Sequence, residues 1–124
     1  MKKSVLVFDD DVDILSILTY LLEEKGWKIT TRTSCANLLA DIKSAMPDVI
    51  LMDNWIPEAG GKVATQAIKN HPEYKSIPVI YFSANNDIEN LAKEAGADTH
   101  LAKPFDLEEL EALLATVFSN KALS

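Results

Sequence analysis

Cysteine, glycine and aromatic residues are scarce in this 124-residue chain: one Cys, four Gly and an aromatic share of 7%. Cys35 has no second cysteine to pair with, so a small disulfide-stapled secreted fold is excluded. Four Gly and five Pro rule out collagen-like and low-complexity sequence, and 48% hydrophobic residues rule out intrinsic disorder. Long apolar runs are missing as well. Val5 to Phe8 is stopped by Asp9, Asp10 and Asp11, whereas a signal peptide needs about 7–15 apolar residues and a spanning helix about 20. The basic start Met1-Lys2-Lys3 is therefore not expected to open an export signal. Positive charge is in deficit, with 12 Lys+Arg against 19 Asp+Glu and a net charge of −7. Such a surface repels phosphate backbones. The expectations are one domain over residues 1–124, a cytoplasmic location, and neither nucleic acid nor membrane as partner.

Two kinds of segment alternate along the chain. Ser4 to Phe8, Trp27 to Arg32, Val49 to Met52, Ile77 to Phe82 and Thr99 to Ala102 are short and rich in Val, Ile, Leu or aromatics. The first, third and fourth are almost continuously apolar, as strands buried on both faces of a parallel sheet must be. Between them run helical periods. Ile14, Leu15, Leu18, Leu21 and Leu22 recur at three- and four-residue spacing up to Lys25-Gly26, where glycine can take a left-handed cap. Ser34 is expected to cap a second helix carrying Leu38, Leu39 and Ile42, closed by Pro47. A third runs from Gly61 to Ile68, and a fourth from Ile88 to Gly96. The fifth opens on Asp106 with an acid three residues on, and continues through Leu110, Leu114 and Val117. Five strands and five helices in strict β-α order predict an α/β fold, a doubly wound parallel sheet of order 2-1-3-4-5 or a relative. A ligand crevice then lies at the carboxyl ends of the first and third strands.

The chemistry-bearing residues sit at that edge. Asp9, Asp10 and Asp11 follow the first strand and Asp53 the third. Asp11 is read as a helix N-cap. Asp9, Asp10 and Asp53 converge, and three carboxylates packed together call for a hard divalent cation with oxygen ligands, Mg²⁺ or Mn²⁺. Ser83 follows the fourth strand and Lys103 the fifth. Singly, a strand-end serine is an ordinary turn residue and a strand-end lysine an ordinary solvated one. Together with the acids they can receive a phosphoryl group, with Asp53 as nucleophile forming an acyl phosphate.

In order and spacing, Val7-Phe8-Asp9-Asp10-Asp11, Val49-Ile50-Leu51-Met52-Asp53, Ile56-Pro57 with Gly61, Ile77-Pro78-Val79-Ile80, Ser83-Ala84 and Gly96-Ala97-Asp98 through Lys103-Pro104-Phe105 closely resemble the receiver domain of bacterial two-component response regulators. The resemblance covers essentially the whole chain and implies a flavodoxin-like (βα)5 fold. It makes Asp53 the phosphoacceptor, with Asp10, Asp53 and the Trp55 backbone carbonyl as direct metal ligands and Asp9 acting through water. It makes Ser83 a switch hydroxyl and Lys103 the phosphate-pairing lysine, with a cis bond to Pro104. At the aromatic switch position, three residues before the lysine, stands His100, where Tyr or Phe is commoner. Read as a switch, its imidazole rotates inward less readily once charged at low pH; read otherwise, it is a half-exposed strand-edge residue.

Trp55 either packs in its loop or overhangs the site and, with Asn85 opposite, hinders water from hydrolysing the acyl phosphate. Gly60 stands where family members often carry Asp, and is read as loosening the loop. His71 has no second ligand at metal-binding spacing and is expected to be solvated. Cys35 reads as a structural thiol, and Trp27 as packing at the edge of the second strand.

The chain ends at Ser124, just past the fifth helix, so its output is expected to be another protein. The expected function is that of a single-domain response regulator. It takes its phosphoryl group from a sensor histidine kinase or a histidine phosphotransfer protein and binds a downstream protein through the fourth helix, fifth strand and fifth helix. Asp106, Glu108, Glu109 and Glu111 on the fifth helix disfavour a two-fold dimer there and favour a basic or apolar heterologous partner, the chain itself staying monomeric. The alternative is a phosphorelay intermediate or phosphate sink without conformational output. An enzyme acting on other substrates, such as a metal-dependent phosphatase, is disfavoured for want of a cap or second acid/base. Only self-directed phosphoryl transfer and slow autodephosphorylation are expected.

Overall fold

The computed structural model describes residues 3–56 and 60–123, with side chains described as far as Ser119. Pro57 of the motif and the chain ends Met1, Lys2 and Ser124 lie outside the described residues. Ten elements alternate: β1 (Lys3–Phe8), α1 (Val12–Glu24), β2 (Trp27–Arg32), α2 (Leu38–Ala45), β3 (Val49–Asp53), α3 (Gly61–Lys69), β4 (Val79–Ser83), α4 (Ile88–Ala95), β5 (Thr99–Ala102) and α5 (Leu107–Leu123). All strand pairs are parallel, in the order β2-β1-β3-β4-β5. The expected doubly wound sheet is the one observed.

The pleat divides the core in two. Val5 and Val7, Val49 and Leu51, Ile80 and Phe82, and Leu101 point to the side covered by α1 and α5 through Leu15, Leu18, Leu22, Leu110 and Leu114. Leu6 and Phe8, Ile50 and Met52, and Val79 and Tyr81 point to the opposite side, under Ile42, Ala64, Ile68, Ile88 and Ala92 of α2, α3 and α4. Because both faces are covered, β1, β3 and β4 are buried almost end to end, which explains their unbroken apolar sequence.

Helix ends follow local chemistry. The Asp11 carboxylate accepts from the N–H groups of Asp13 and Ile14 (3.0 and 3.3 Å), as an N-cap should. Asp106 Oδ1 accepts from Glu109 N at 2.8 Å, and Glu109 Oε1 faces Asp106 N in return at 3.5 Å. Gly26 takes φ +87° just past the end of α1.

Two local expectations are corrected. Ser34 does not cap α2: its Oγ accepts from Ala36 N at 3.3 Å, closing a turn ahead of the helix, which starts from Asn37 without a side-chain cap. Ile77 and Pro78 lie outside β4; Pro78 has no N–H to give the ladder, and Ile77 N donates to Tyr74 O at 3.0 Å in the preceding turn. Trp27 opens the edge strand β2 and packs there, buried and edge-on to Phe118 with ring centroids 6.1 Å apart and with the Lys3 ammonium 4.9 Å above the indole.

Candidate functional site

Pleat parity extends past the strand ends and builds the site. Asp9 and Asp53 continue the α1/α5 side of β1 and β3, and Lys103 continues the same side of β5. These three groups therefore meet. The Lys103 ammonium sits 2.9 Å from Asp9 Oδ2 and 3.0 Å from Asp53 Oδ1, and lies 4.5 Å from the ring centroid of Phe82 beneath it. Asp9 is 1% and Asp53 6% exposed, whereas Asp10 is open to solvent. Carboxylate oxygens of Asp9, Asp10 and Asp53 all lie within 4.8 Å of one another. Asp9, Asp10, Asp53, Trp55, Ser83 and Lys103 line a cleft of about 310 Å³, with Asn85 on its rim.

Backbone donors fix the acids. Asp9 Oδ1 accepts from Asp11 N at 2.9 Å and Asp53 Oδ2 from Trp55 N at 3.1 Å. Burial pushes the Asp53 carboxyl above its usual value. The hydrogen bond and charge of Lys103 and the Trp55 N–H pull it down, the Asp9 charge pushes it up further, and the net direction is upward. For Lys103 burial acts downward, but the carboxylates of Asp9 and Asp53 outweigh it and hold the ammonium above the ordinary lysine value.

Ser83 is buried at the end of β4, and its Oγ accepts from Asn85 N at 3.1 Å, which leaves the hydroxyl proton free to donate. Lys103 N donates to Ser83 O at 2.9 Å, and the Lys103–Pro104 bond is cis. Trp55 is not packed into its loop: its residue surface is 78% exposed beside the cleft. His100 is half-buried on β5, opposite Tyr81 in the ladder and on the same side of the sheet as Ser83, outside the cleft.

Cys35 and His71 lie outside the cleft. Cys35 is buried with its Sγ 4.0 Å from Met52 Sδ, and burial, aided by Asp41, pushes its thiol up to about 12. His71 is stacked on Tyr74 at 4.3 Å between ring centroids, its Nδ1 accepting from Glu73 N at 3.1 Å, so it is a packed turn residue rather than a fully solvated one.

The family model of the response regulator receiver domain matches residues 5–115. The chain belongs to this family. Among relatives of the receiver, protein PilG of Pseudomonas aeruginosa is 34% identical over 86% of this chain and 80% of its own length. Several other curated relatives are much longer, and the receiver spans 16% to 52% of their length. A putative response regulator from Chloroflexus aurantiacus superposes with a TM-score of 0.90 at 27% identity, over 96% of this chain and 99% of that one. The receiver domain of sensor histidine kinase PA1611 from P. aeruginosa shares the fold, with a TM-score of 0.87 at 24% identity over 96% and 99% of the two chains.

Three residues near the receiver's site have roles that the sequence did not disclose. Gly61 approaches the backbone so closely that a Cβ there would lie 2.3 Å from Asp53 O and 2.9 Å from Asn54 Cα. Gly60, read as a loosening element, holds φ +79° at the N-cap of α3. Tyr81, fully buried between the apolar Ile80 and Phe82, donates its phenol proton to Asn54 Oδ1.

Proposed function

We propose that the chain accepts a phosphoryl group on Asp53 from a histidine-bearing donor and signals through a protein contact that depends on that phosphorylation. The observation that carries this reading is the buried Asp9–Lys103–Asp53 bridge beside Asp10 in one open cleft.

The donor set suits a divalent cation. Three carboxylates against one ammonium leave a net charge of −2 in the cluster, and all the side-chain donors are hard oxygens, the preference of Mg²⁺ and Mn²⁺ rather than softer metals. Asp10, Asp53 and the Trp55 carbonyl would hold the ion, with Asp9 acting through water. The PA1611 receiver carries a magnesium ion in its active-site cleft, which supports the choice. Bound there, the metal supplies charge neutralisation for the phosphoryl oxygens.

The chain's own groups do the rest. The Asp53 carboxylate, oriented by the Trp55 N–H and the Lys103 ammonium, is the nucleophile. One of its oxygens forms the new O–P bond as the phosphorus–nitrogen bond of a phosphohistidine breaks, the leaving imidazole keeping the electron pair. The Lys103 ammonium, already within hydrogen-bond distance of Asp53, pairs with a phosphoryl oxygen, and the Ser83 hydroxyl donates to another. Moving Ser83 toward the cleft empties space on the side of the sheet it shares with His100, which biases the α4–β5–α5 surface. Equal partner binding by phosphorylated protein at pH 6 and pH 8 would remove His100 from this scheme. The chain acts only on its own phosphoryl group, which it also hydrolyses slowly.

Incubation with acetyl phosphate, with and without Mg²⁺, followed by mass spectrometry tests the reading. A single Mg²⁺-dependent phosphoryl adduct at Asp53, absent from Asp53→Ala, is expected; labelling that persists in the variant refutes it. The relay alternative draws on the fact that PA1611 is itself a sensor histidine kinase with a receiver. Fast transfer from Asp53 to a second histidine-bearing protein would favour it.

A further inference from the structure

The receiver's phosphoacceptor is held from both sides of the sheet, and only one of the two supports belongs to the site described above. Lys103 grips Asp53 from the α1/α5 side. On the α3/α4 side, Asn54 follows the parity of Met52, and so does its ladder neighbour Tyr81. The Tyr81 phenol rises out of the core and donates to Asn54 Oδ1. Asn54 is also tied through its backbone, N to Phe82 O at 3.3 Å and O from Gly61 N at 3.1 Å. The peptide unit that accepts from Gly61 through the Asn54 carbonyl is the same unit whose Trp55 N–H donates to Asp53 Oδ2 at 3.1 Å. Fixing one edge of that plane fixes the other.

We infer that Tyr81 is a positioning residue for phosphoryl transfer, clamping the Asn54 side chain so that the Asn54–Trp55 peptide holds the Asp53 carboxylate in its attacking orientation. A fully buried phenol needs a partner, and a buried hydroxyl aimed at a side chain of the active-site loop is a costly arrangement for packing alone, where Phe would fill the same space. Burial, together with the Asp53 charge, pushes the Tyr81 hydroxyl up to about 12, so it remains a donor throughout the physiological range. Displacement of the carboxylate by a fraction of an ångström lowers the rate of an in-line attack without abolishing binding.

This inference rests on the receiver reading, and the experiment separates the two. Tyr81→Phe, Asn54→Ala and the double variant are compared with wild type for the limiting rate of acetyl phosphate labelling at saturating Mg²⁺, alongside thermal melting and a Mg²⁺ titration of Trp55 fluorescence. The expected result is a folded Tyr81→Phe protein whose limiting rate falls about three- to tenfold. In the Asn54→Ala background the same change should add nothing. A purely structural phenol would lower the melting temperature and leave the limiting rate of the folded protein intact; that outcome overturns the inference, as does full additivity in the double variant. A wild type that takes no label at Asp53 overturns the receiver reading itself, and this inference with it.

Discussion

Replacing Lys103 with Met removes the one positive charge that the structure places between Asp9 and Asp53, while keeping an unbranched side chain over Phe82. Breaking a buried ion pair from one side costs about 3–5 kcal/mol because a charge is left uncompensated. The lysine side chain here retains 18% exposure and the cleft is open, so water recovers part of that loss and about 2–3 kcal/mol is expected. With an unfolding entropy of about 0.26 kcal/mol/K for 124 residues, the melting temperature should fall by about 8–12 °C at pH 8 without divalent metal. The pH dependence has a definite sign. Without Lys103, Asp53 loses the hydrogen bond and the charge that lower its value, leaving burial and Asp9 to raise it further. A folded-state value raised above the ordinary 3.8 means that the folded protein binds the proton more tightly than the unfolded chain. That stability is fully present below 3.8 and is lost as pH climbs through the folded value. The gap between variant and wild type should therefore shrink from pH 8 to pH 5, and saturating Mg²⁺ should narrow it at pH 8. Calorimetry at both pH values decides. A variant melting within about 2 °C of wild type at pH 8, or a gap that widens on acidification, would refute the claim that this lysine offsets two buried carboxylates.

Trp55→Ala should shorten the phosphoryl lifetime by opening the cleft to water, and an unchanged or longer lifetime in a dephosphorylation time course refutes shielding. Gly61→Ala drives a Cβ to within 2.3 Å of the Asp53 carbonyl oxygen, so urea unfolding should show a loss of about 2 kcal/mol or more and labelling should slow as the loop shifts. Cys35, pushed up to about 12 by burial, should resist thiol reagents in the native state at pH 8. Because its folded value lies above the ordinary 9.0, stability is intact below pH 9 and is lost toward pH 12 by up to about 1.4 kcal/mol per unit, which Cys35→Ser should abolish in alkaline melting curves.

The fold was legible because each element announces itself locally. Apolar runs mark strands covered on both faces, and the repeats of α1 and α5 mark helices with one buried stripe. The error at Ser34 falls where one residue type serves two turns. Ser34 has the chemistry of a helix cap, but Leu38 N bonds Cys35 O at 3.3 Å, and this tight turn holds the helix start back to Leu38. Asp9, Asp10, Asp53, Ser83 and Lys103 were legible through topology, since parallel order alone brings the ends of β1, β3, β4 and β5 together. The Tyr81–Asn54 bond was not. It needs the register Met52↔Tyr81 and the path of the loop after Asp53, neither of which periodicity carries. Its one trace in the sequence is a hydroxyl-bearing residue inside the run Val79–Phe82, where Phe would pack as well.

What folds this chain is distinct from what its strand ends carry. Hydrophobic period and turn chemistry ask for nothing charged in the interior, yet Asp9 and Asp53 are buried and face Asp10 within 4.8 Å. Two of these acids require Lys103 merely to be tolerated, and the strand ends would be quieter with Asn at each. A local conflict that costs stability and recurs at the one edge where parallel strands converge is not a packing solution. It is stored electrostatic demand, and a divalent cation is the ligand whose charge would satisfy it.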